Sequence, residues 1–168
     1  VRKHKAILYF EDESNVSLTP VVAKTWGPIG AKITKKVTGN RGSVSAISAL
    51  SSDGRLIFNV HDNNKRYGAK DIVHFLSEML AHHPSRHLVV VMDQAPSHRA
   101  KLVKAYVQTQ KRLHVFYLPP RSPEFNPDEK VWDHLKNQEL KSHQATNTKS
   151  LKKITRTKLR KMAKDKRV

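Results

Sequence analysis

Cysteine is absent from the 168 residues. That excludes disulfides, thiolate zinc fingers and cysteine nucleophiles, and it fits a reducing, intracellular compartment. No apolar run approaches the ~18 residues of a membrane span, and no segment has the pattern of a secretory signal. No stretch carries the apolar face of a strong membrane-surface helix, so a membrane partner is not expected. A glycine-rich phosphate loop, a dinucleotide fingerprint and a Ser-His-Asp order are missing as well. Acids are scarce: 14 Asp and Glu stand against 32 Lys and Arg, a net +18 with His neutral. Such an excess calls for a polyanionic partner, and nucleic acid is the natural one.

The ten histidines are scattered rather than paired at metal spacing. His83 and His87 are four apart, but Pro84 between them argues against a shared helical face. They read as surface or structural residues. The length suits one domain with a sizeable core.

What is present is organised around residues 88–132. Leu88 to Met92 is a continuous apolar run, suited to a strand buried on both faces of a largely parallel sheet. Asp93 stands where that strand ends, and ligands of open α/β sheets gather at such carboxyl ends. A second run, Leu113 to Leu118, stops at Pro119-Pro120, which cannot continue a ladder. Asn126-Pro127 reads as a helix start, with Asn as N-cap and Pro at the first helical position. Glu129, three residues after Asn126, has a plain reading as a capping-box glutamate.

Upstream, Ala6 to Phe10 reads as a central strand delivering Glu11, Asp12 and Glu13 to its end. Trp26-Gly-Pro-Ile-Gly is loop material. Ser43–Leu50 and Arg55–Val60 form a hairpin across Asp53-Gly54, a pair suited to a type I′ turn. Ile72, Val73, Leu76, Met79 and Leu80 make a helical stripe ended by Pro84. A helix opening at His98-Arg99, with Leu102, Val103, Tyr106 and Val107 inward, follows Asp93. The helix from Pro127 buries Val131, Trp132 and Leu135.

Val-Met-Asp-Gln-Ala-Pro-Ser-His (91–98), followed by Leu-Pro-Pro-Arg-Ser-Pro-Glu-Phe-Asn-Pro-Asp-Glu-Lys-Val-Trp (118–132), resembles the DDE endonuclease domain of mariner-type and bacterial insertion-sequence transposases. Phe10-Glu11-Asp12-Glu13-Ser14 is similar to that family's first motif. Thr25-Trp26-Gly27-Pro28 with Gly30, and Gly54-Arg55-Leu56, resemble further segments in the right order. The likeness runs from about Ala6 to Leu140. This chain departs from the family at Gln94 (commonly Asn), Arg121 (often Tyr) and Asp128 (usually apolar). The element order βββαβαβα is that of an α/β ribonuclease H-like, retroviral-integrase-like fold, a mixed five-stranded sheet flanked by helices.

The resemblance implies that Asp12, Asp93 and Glu129 are the catalytic acids, with Glu129 lying 36 residues after Asp93 as in the family. It also implies two Mg²⁺ or Mn²⁺ ions, Asp12 bridging both, Asp93 completing one site and Glu129 the other. The chemistry agrees, since clustered carboxylates need protons or cations to offset their repulsion. Hard divalent ions suit oxygen donors, and two of them about 3.5–4 Å apart serve in-line displacement at phosphorus. Alternation sets Asp12 on the opposite strand face from Glu11 and Glu13. Asp133 lies one helical turn from Glu129 and could share its face. Glu124 and Asp128 read as solvent acids, and His98 and Arg99 as groups that orient phosphate or Asp93, or as solvent residues at a helix end.

The implied reaction is hydrolysis of DNA at transposon ends, then transfer of the 3′-hydroxyl into target DNA, typically a TA dinucleotide. The expected partner is double-stranded DNA, held by a dimer. Residues 1–145 are expected to form the catalytic domain and 146–168 a basic tail, with the family's upstream helix-turn-helix region missing from this piece. The segment 149–168 carries ten Lys or Arg and one acid. Leu151, Ile154, Leu159 and Met162 form its apolar stripe. Lys152, Lys153, Arg156, Lys158, Arg160 and Lys161, with Arg121, are the expected phosphate contacts. The rival readings are another ribonuclease H-like nuclease, a resolvase or hybrid nuclease, and a non-catalytic DNA-binding remnant.

Overall fold

The computed structural model describes residues 6–21, 26–30, 39–61 and 65–165. Thr25 and the last three residues of the basic tail lie outside the described residues. β1 (Ile7–Ser17), β2 (Ser43–Ser51), β3 (Leu56–Val60), β4 (Leu88–Met92) and β5 (Leu113–Tyr117) form one sheet in the order β3-β2-β1-β4-β5. The first three strands pair antiparallel, whereas β4 and β5 join parallel to β1. This is the mixed five-stranded sheet expected from the sequence.

Four helices, α1 (Ala69–His82), α2 (Lys101–Thr109), α3 (Asp128–His134) and α4 (Thr148–Lys164), cover the sheet. Alternation along the strands divides the core in two. Ile7, Tyr9, Ile47, Leu88, Val90 and Met92 face α1 and α2. Val16, Val44, Ala46 and Val60 face Val131, Trp132 and Leu135 of the α3 segment and Leu151, Leu159 and Met162 of α4. The basic helix is therefore seated on the sheet by its apolar stripe. Ile154 is only half-buried, and Thr155 takes a buried position beside it.

Several expectations need correcting. β1 does not stop at Phe10 but continues to Ser17, because the nine residues of β2 pair with it from Tyr9–Ser51 to Ser17–Ser43. The hairpin turn is not type I′, which needs positive φ at both central residues. Only Gly54 (φ +83°) is left-handed there, and the Gly54 N–H bonds the Ser51 carbonyl at 3.0 Å. β4 is fully buried only at Leu88, Val90 and Met92, with Val89 and Val91 half-buried. α1 also buries Phe75, whereas Val73 is only partly covered. α2 begins at Lys101 rather than at His98, and Leu102 is 46% exposed, so Val103 alone of its expected inward residues is fully buried. His83 is buried and shares a 2.9 Å hydrogen bond with the Tyr9 hydroxyl, a structural role.

Candidate active site

The site forms where β1 outlasts its parallel neighbour. β4 pairs with β1 from Ile7–Leu88 to Phe10–Val91. Continuing that register by two residues brings Asp93 level with Asp12, on the same face of the sheet. Glu11, Asp12 and Glu13 are thus mid-strand in β1, yet Asp12 lies beyond the end of β4. The exits of β4 and β5 are fastened together: the Leu118 N–H donates to the Met92 carbonyl, and Gln94 Nε2 donates to the Leu118 carbonyl, both at 2.9 Å. Gln94 serves this tie although Asn is usual at its position.

The chain then turns through Pro119–Pro123 back towards β1. Arg121 has φ +58°, a left-handed conformation uncommon for a residue with a Cβ. At the start of α3, Asn126 Nδ2 donates to the Glu11 carbonyl at 3.0 Å, while Oδ1 accepts the Asp128 N–H at 3.2 Å. One side chain therefore anchors α3 to β1. The Asn126 N–H already donates to the Pro123 carbonyl at 2.8 Å. A capping-box Glu129 would need that donor, so the capping role is closed to it. Instead Glu129 is exposed to the cleft.

Asp12, Asp93 and Glu129 line one cleft of about 360 Å³, whose walls include Gln94, Arg121 and Asn126. Burial, then the charges of Glu129 and Asp93, push the Asp12 carboxyl up to about 7. Three carboxylates that repel one another around an open cleft are a fit for a hard divalent cation, which their oxygens would hold. A second cavity, of about 370 Å³, has Tyr9, Arg55, Phe58, His82 and His83 in its wall and no lining carboxylate.

The opposite face of β1 carries a second cluster. Glu11, Glu13 and His98 each offer a potential ligand atom, all within 4.8 Å of one another. His98 is 1% exposed. Its Nδ1 lies 2.7 Å from Asp93 Oδ1, and its Nε2 lies 3.5 Å from Glu11 and 3.6 Å from Glu13. The longer pair are ion-pair distances rather than hydrogen bonds. Burial alone would lower the His98 pKa, but the carboxylates of Glu13, Glu11 and Asp93 outweigh it and raise the imidazole to about 10. Burial holds Glu11 well above the usual carboxylate range, with His98 offsetting part of that. His98 is thus neither a solvent residue nor a cleft group: it stands behind Asp93.

Asp128 overturns its reading as a solvent acid. It is fully buried beneath the cleft, and Ser48 Oγ donates to its Oδ2 at 2.6 Å. Burial raises its carboxyl well above the usual range despite that bond. The signal was available in β2, where a serine interrupts apolar positions directly opposite Asp12. Glu124 is exposed, as expected. Asp133 is exposed too, accepts from Asn137 at 2.6 Å, and is not part of the cleft wall.

Of the expected phosphate contacts, only Arg121 lines the cleft. The other six lie on α4. Lys158 and Lys161 each place Nζ 2.8 Å from the Glu139 carboxylate, which they hold down at about 2. Lys153, Arg156 and Arg160 are exposed, and Lys152 is half-buried. Among the described residues no helix is long and apolar enough to cross a membrane.

An uncharacterized protein of Sinorhizobium fredii is 37% identical over 51 residues, 30% of this chain and 35% of that protein. Two solved structures share the fold along 94% of the chain. One is the Mos1 strand transfer complex, at 17% identity and TM-score 0.68. The other is the mariner Mos1 paired-end complex with Mg, at 15% identity and TM-score 0.69. This chain spans about half the length of those Mos1 chains, 51% and 52%. A match to the DDE superfamily endonuclease family covers residues 7–152, from the first residue of β1 into α4, and the chain belongs to that family.

Proposed function

We propose that this chain is the catalytic domain of a transposase that cuts double-stranded DNA at transposon ends and joins the freed 3′-hydroxyl to target DNA. The observation that carries the reading is the meeting of Asp12, Asp93 and Glu129, from β1, the exit of β4 and α3, in a single cleft. Asp12, Asp93 and Glu129 would hold two Mg²⁺ or Mn²⁺ ions. Such ions supply activation of the attacking oxygen and offset charge on the leaving one.

The chain's own residues do the rest. Asp93 Oδ1 already accepts the Ala95 N–H at 2.8 Å and faces His98, so Oδ2 is the oxygen left for the cleft. Arg121, on the cleft wall, is placed to hold a phosphate of the scissile strand. The exposed basic side of α4 binds backbone phosphates without reading sequence. Residues 1–145 are the catalytic domain, and the basic segment 146–168, which includes α4, follows it. Mos1, whose complexes are described as paired-end and strand-transfer assemblies, supports two copies acting together on DNA.

The test is cleavage of a plasmid carrying the element's own ends. Asp12→Asn, Asp93→Asn and Glu129→Gln should each abolish Mg²⁺-dependent cutting while DNA affinity stays equal or rises slightly. Glu124→Gln and Asp133→Asn should keep most activity. Wild-type cutting by all three cleft variants would overturn the assignment. A dead Asp133→Asn beside a working Glu129→Gln would move the third acid one turn along α3.

A further inference from the structure

We propose that His98 is a positioning residue, whose imidazole locks the Asp93 carboxylate against β1 so that a single oxygen faces the cleft. The proposal rests on the reading of Asp93 as a cation ligand.

Asp93 stands at the open edge of the site. It follows the last residue of β4, and its side chain is 55% exposed. A carboxylate so placed rotates freely unless something holds it, and a ligand that must be ordered on binding gives up affinity. Two donors converge on its Oδ1: the Ala95 N–H at 2.8 Å and His98 Nδ1 at 2.7 Å. The first belongs to the same turn and moves with it. The second is tied to the body of the protein.

That tie is what makes His98 a fixed point. The Tyr117 hydroxyl, from β5, donates to the His98 carbonyl at 3.1 Å. The ring itself is 1% exposed, with Nε2 held between Glu11 and Glu13 of β1. These are the two residues flanking Asp12. One imidazole therefore spans from the strand that bears the first acid to the carboxylate of the second. It fixes the spacing of the pair from behind, without entering the cleft. Partners that orient a ligand in this way are worth about 10- to 100-fold in metal affinity.

The two ring nitrogens make separable contacts, and amide side chains imitate them one at a time. Asparagine reaches the position of Nδ1, and glutamine reaches that of Nε2. The measurement is Mn²⁺ binding to the 168-residue chain, read from the paramagnetic resonance of free Mn²⁺, with thermal unfolding to establish that each variant is folded. His98→Ala and His98→Gln should weaken Mn²⁺ binding by about 10- to 100-fold, whereas His98→Asn should stay within about threefold of wild type. A purely structural histidine would not sort the two amides in this order. Wild-type affinity in His98→Ala, or rescue by Gln and not by Asn, would overturn the proposal and leave the cleft assignment standing. Absence of Mn²⁺ binding by the wild type would overturn both. Should Ala and Gln fail to fold, imidazole ¹⁵N NMR of the wild type decides. Nδ1 must carry the proton and stay bonded to Asp93 when Mg²⁺ is added, whereas direct ligation of Mg²⁺ by Nε2 would overturn the proposal.

Discussion

A hydroxyl donating to a carboxylate in a dry interior is costly to remove from one side only. Among the described residues Asp128 Oδ1 has no hydrogen-bond partner, so the Ser48 bond to Oδ2 is the side chain's main compensation for burial. Ser48→Ala should destabilise the protein by about 1–3 kcal/mol, measured by urea unfolding. Adding Asp128→Leu should recover much of that loss, since replacing both partners by apolar groups costs little. Arg121 poses the opposite case, a cation held in a strained backbone. Arg121→Asn keeps a residue that tolerates φ +58° while removing the charge. Stability should hold or rise slightly. DNA affinity should fall, and the log-affinity against log-salt slope should flatten by about 0.9.

At this scale the sequence was an uneven guide. Asp12, Asp93 and Glu129 were expected from the resemblance, and of their settings the strand end before Asp93 and the helix start before Glu129 could be read as local features. The burial of Asp128 left only an indirect trace in Ser48, and that of His98 none, because each depends on a partner far off in the chain. Charge made Asp128 look solvated, and only its register with Ser48 and Asp12 shows otherwise.

Among the elements, α4 is amphipathic in charge as well as in hydropathy. Its buried stripe is neutral, and one flank is tied down by Glu139 through Lys158 and Lys161. Glu139 sits at about 2, below the ordinary 4.5, so its pairing stabilises the fold above pH 4.5 and is lost as pH falls towards 2. Glu139→Gln should therefore destabilise the protein at neutral pH, by no more than about 1 kcal/mol for so partly exposed a network, read as a lower Tm. The gap from wild type should close across that acid window. The same change frees two lysines, so DNA binding should tighten and its salt slope steepen. Reversing the charge of Lys153, Arg156 and Arg160, which share the exposed side, should weaken binding more than reversing Lys158 and Lys161. Equal losses would spread the DNA contact over the whole helix. The stripe that seats α4 was legible in the helical spacing of its apolar residues, but the split of its lysines was not, because Glu139 lies outside the helix.

For the whole molecule, the decisive feature is that β1 lies between an antiparallel hairpin and a parallel strand. Its first partners arrive within the next 50 residues, but β4 closes on it only at Leu88. Such long-range parallel pairing is slow to form, since the chain between must be ordered before any contact rewards it. A ribosome-bound chain that has emerged only as far as β3 can form the three-stranded meander, with one edge of β1 bare. That bare edge is a template for wrong pairing until α1 and β4 arrive. Asp93 and Glu129 come later still, so the nascent protein holds only Asp12 of the three cleft acids, and no cleft. Pulse-labelled hydrogen exchange during refolding should show amides between β1 and β2 protected before those between β1 and β4. A cleft split across that seam stays unmade until α3 has joined the sheet.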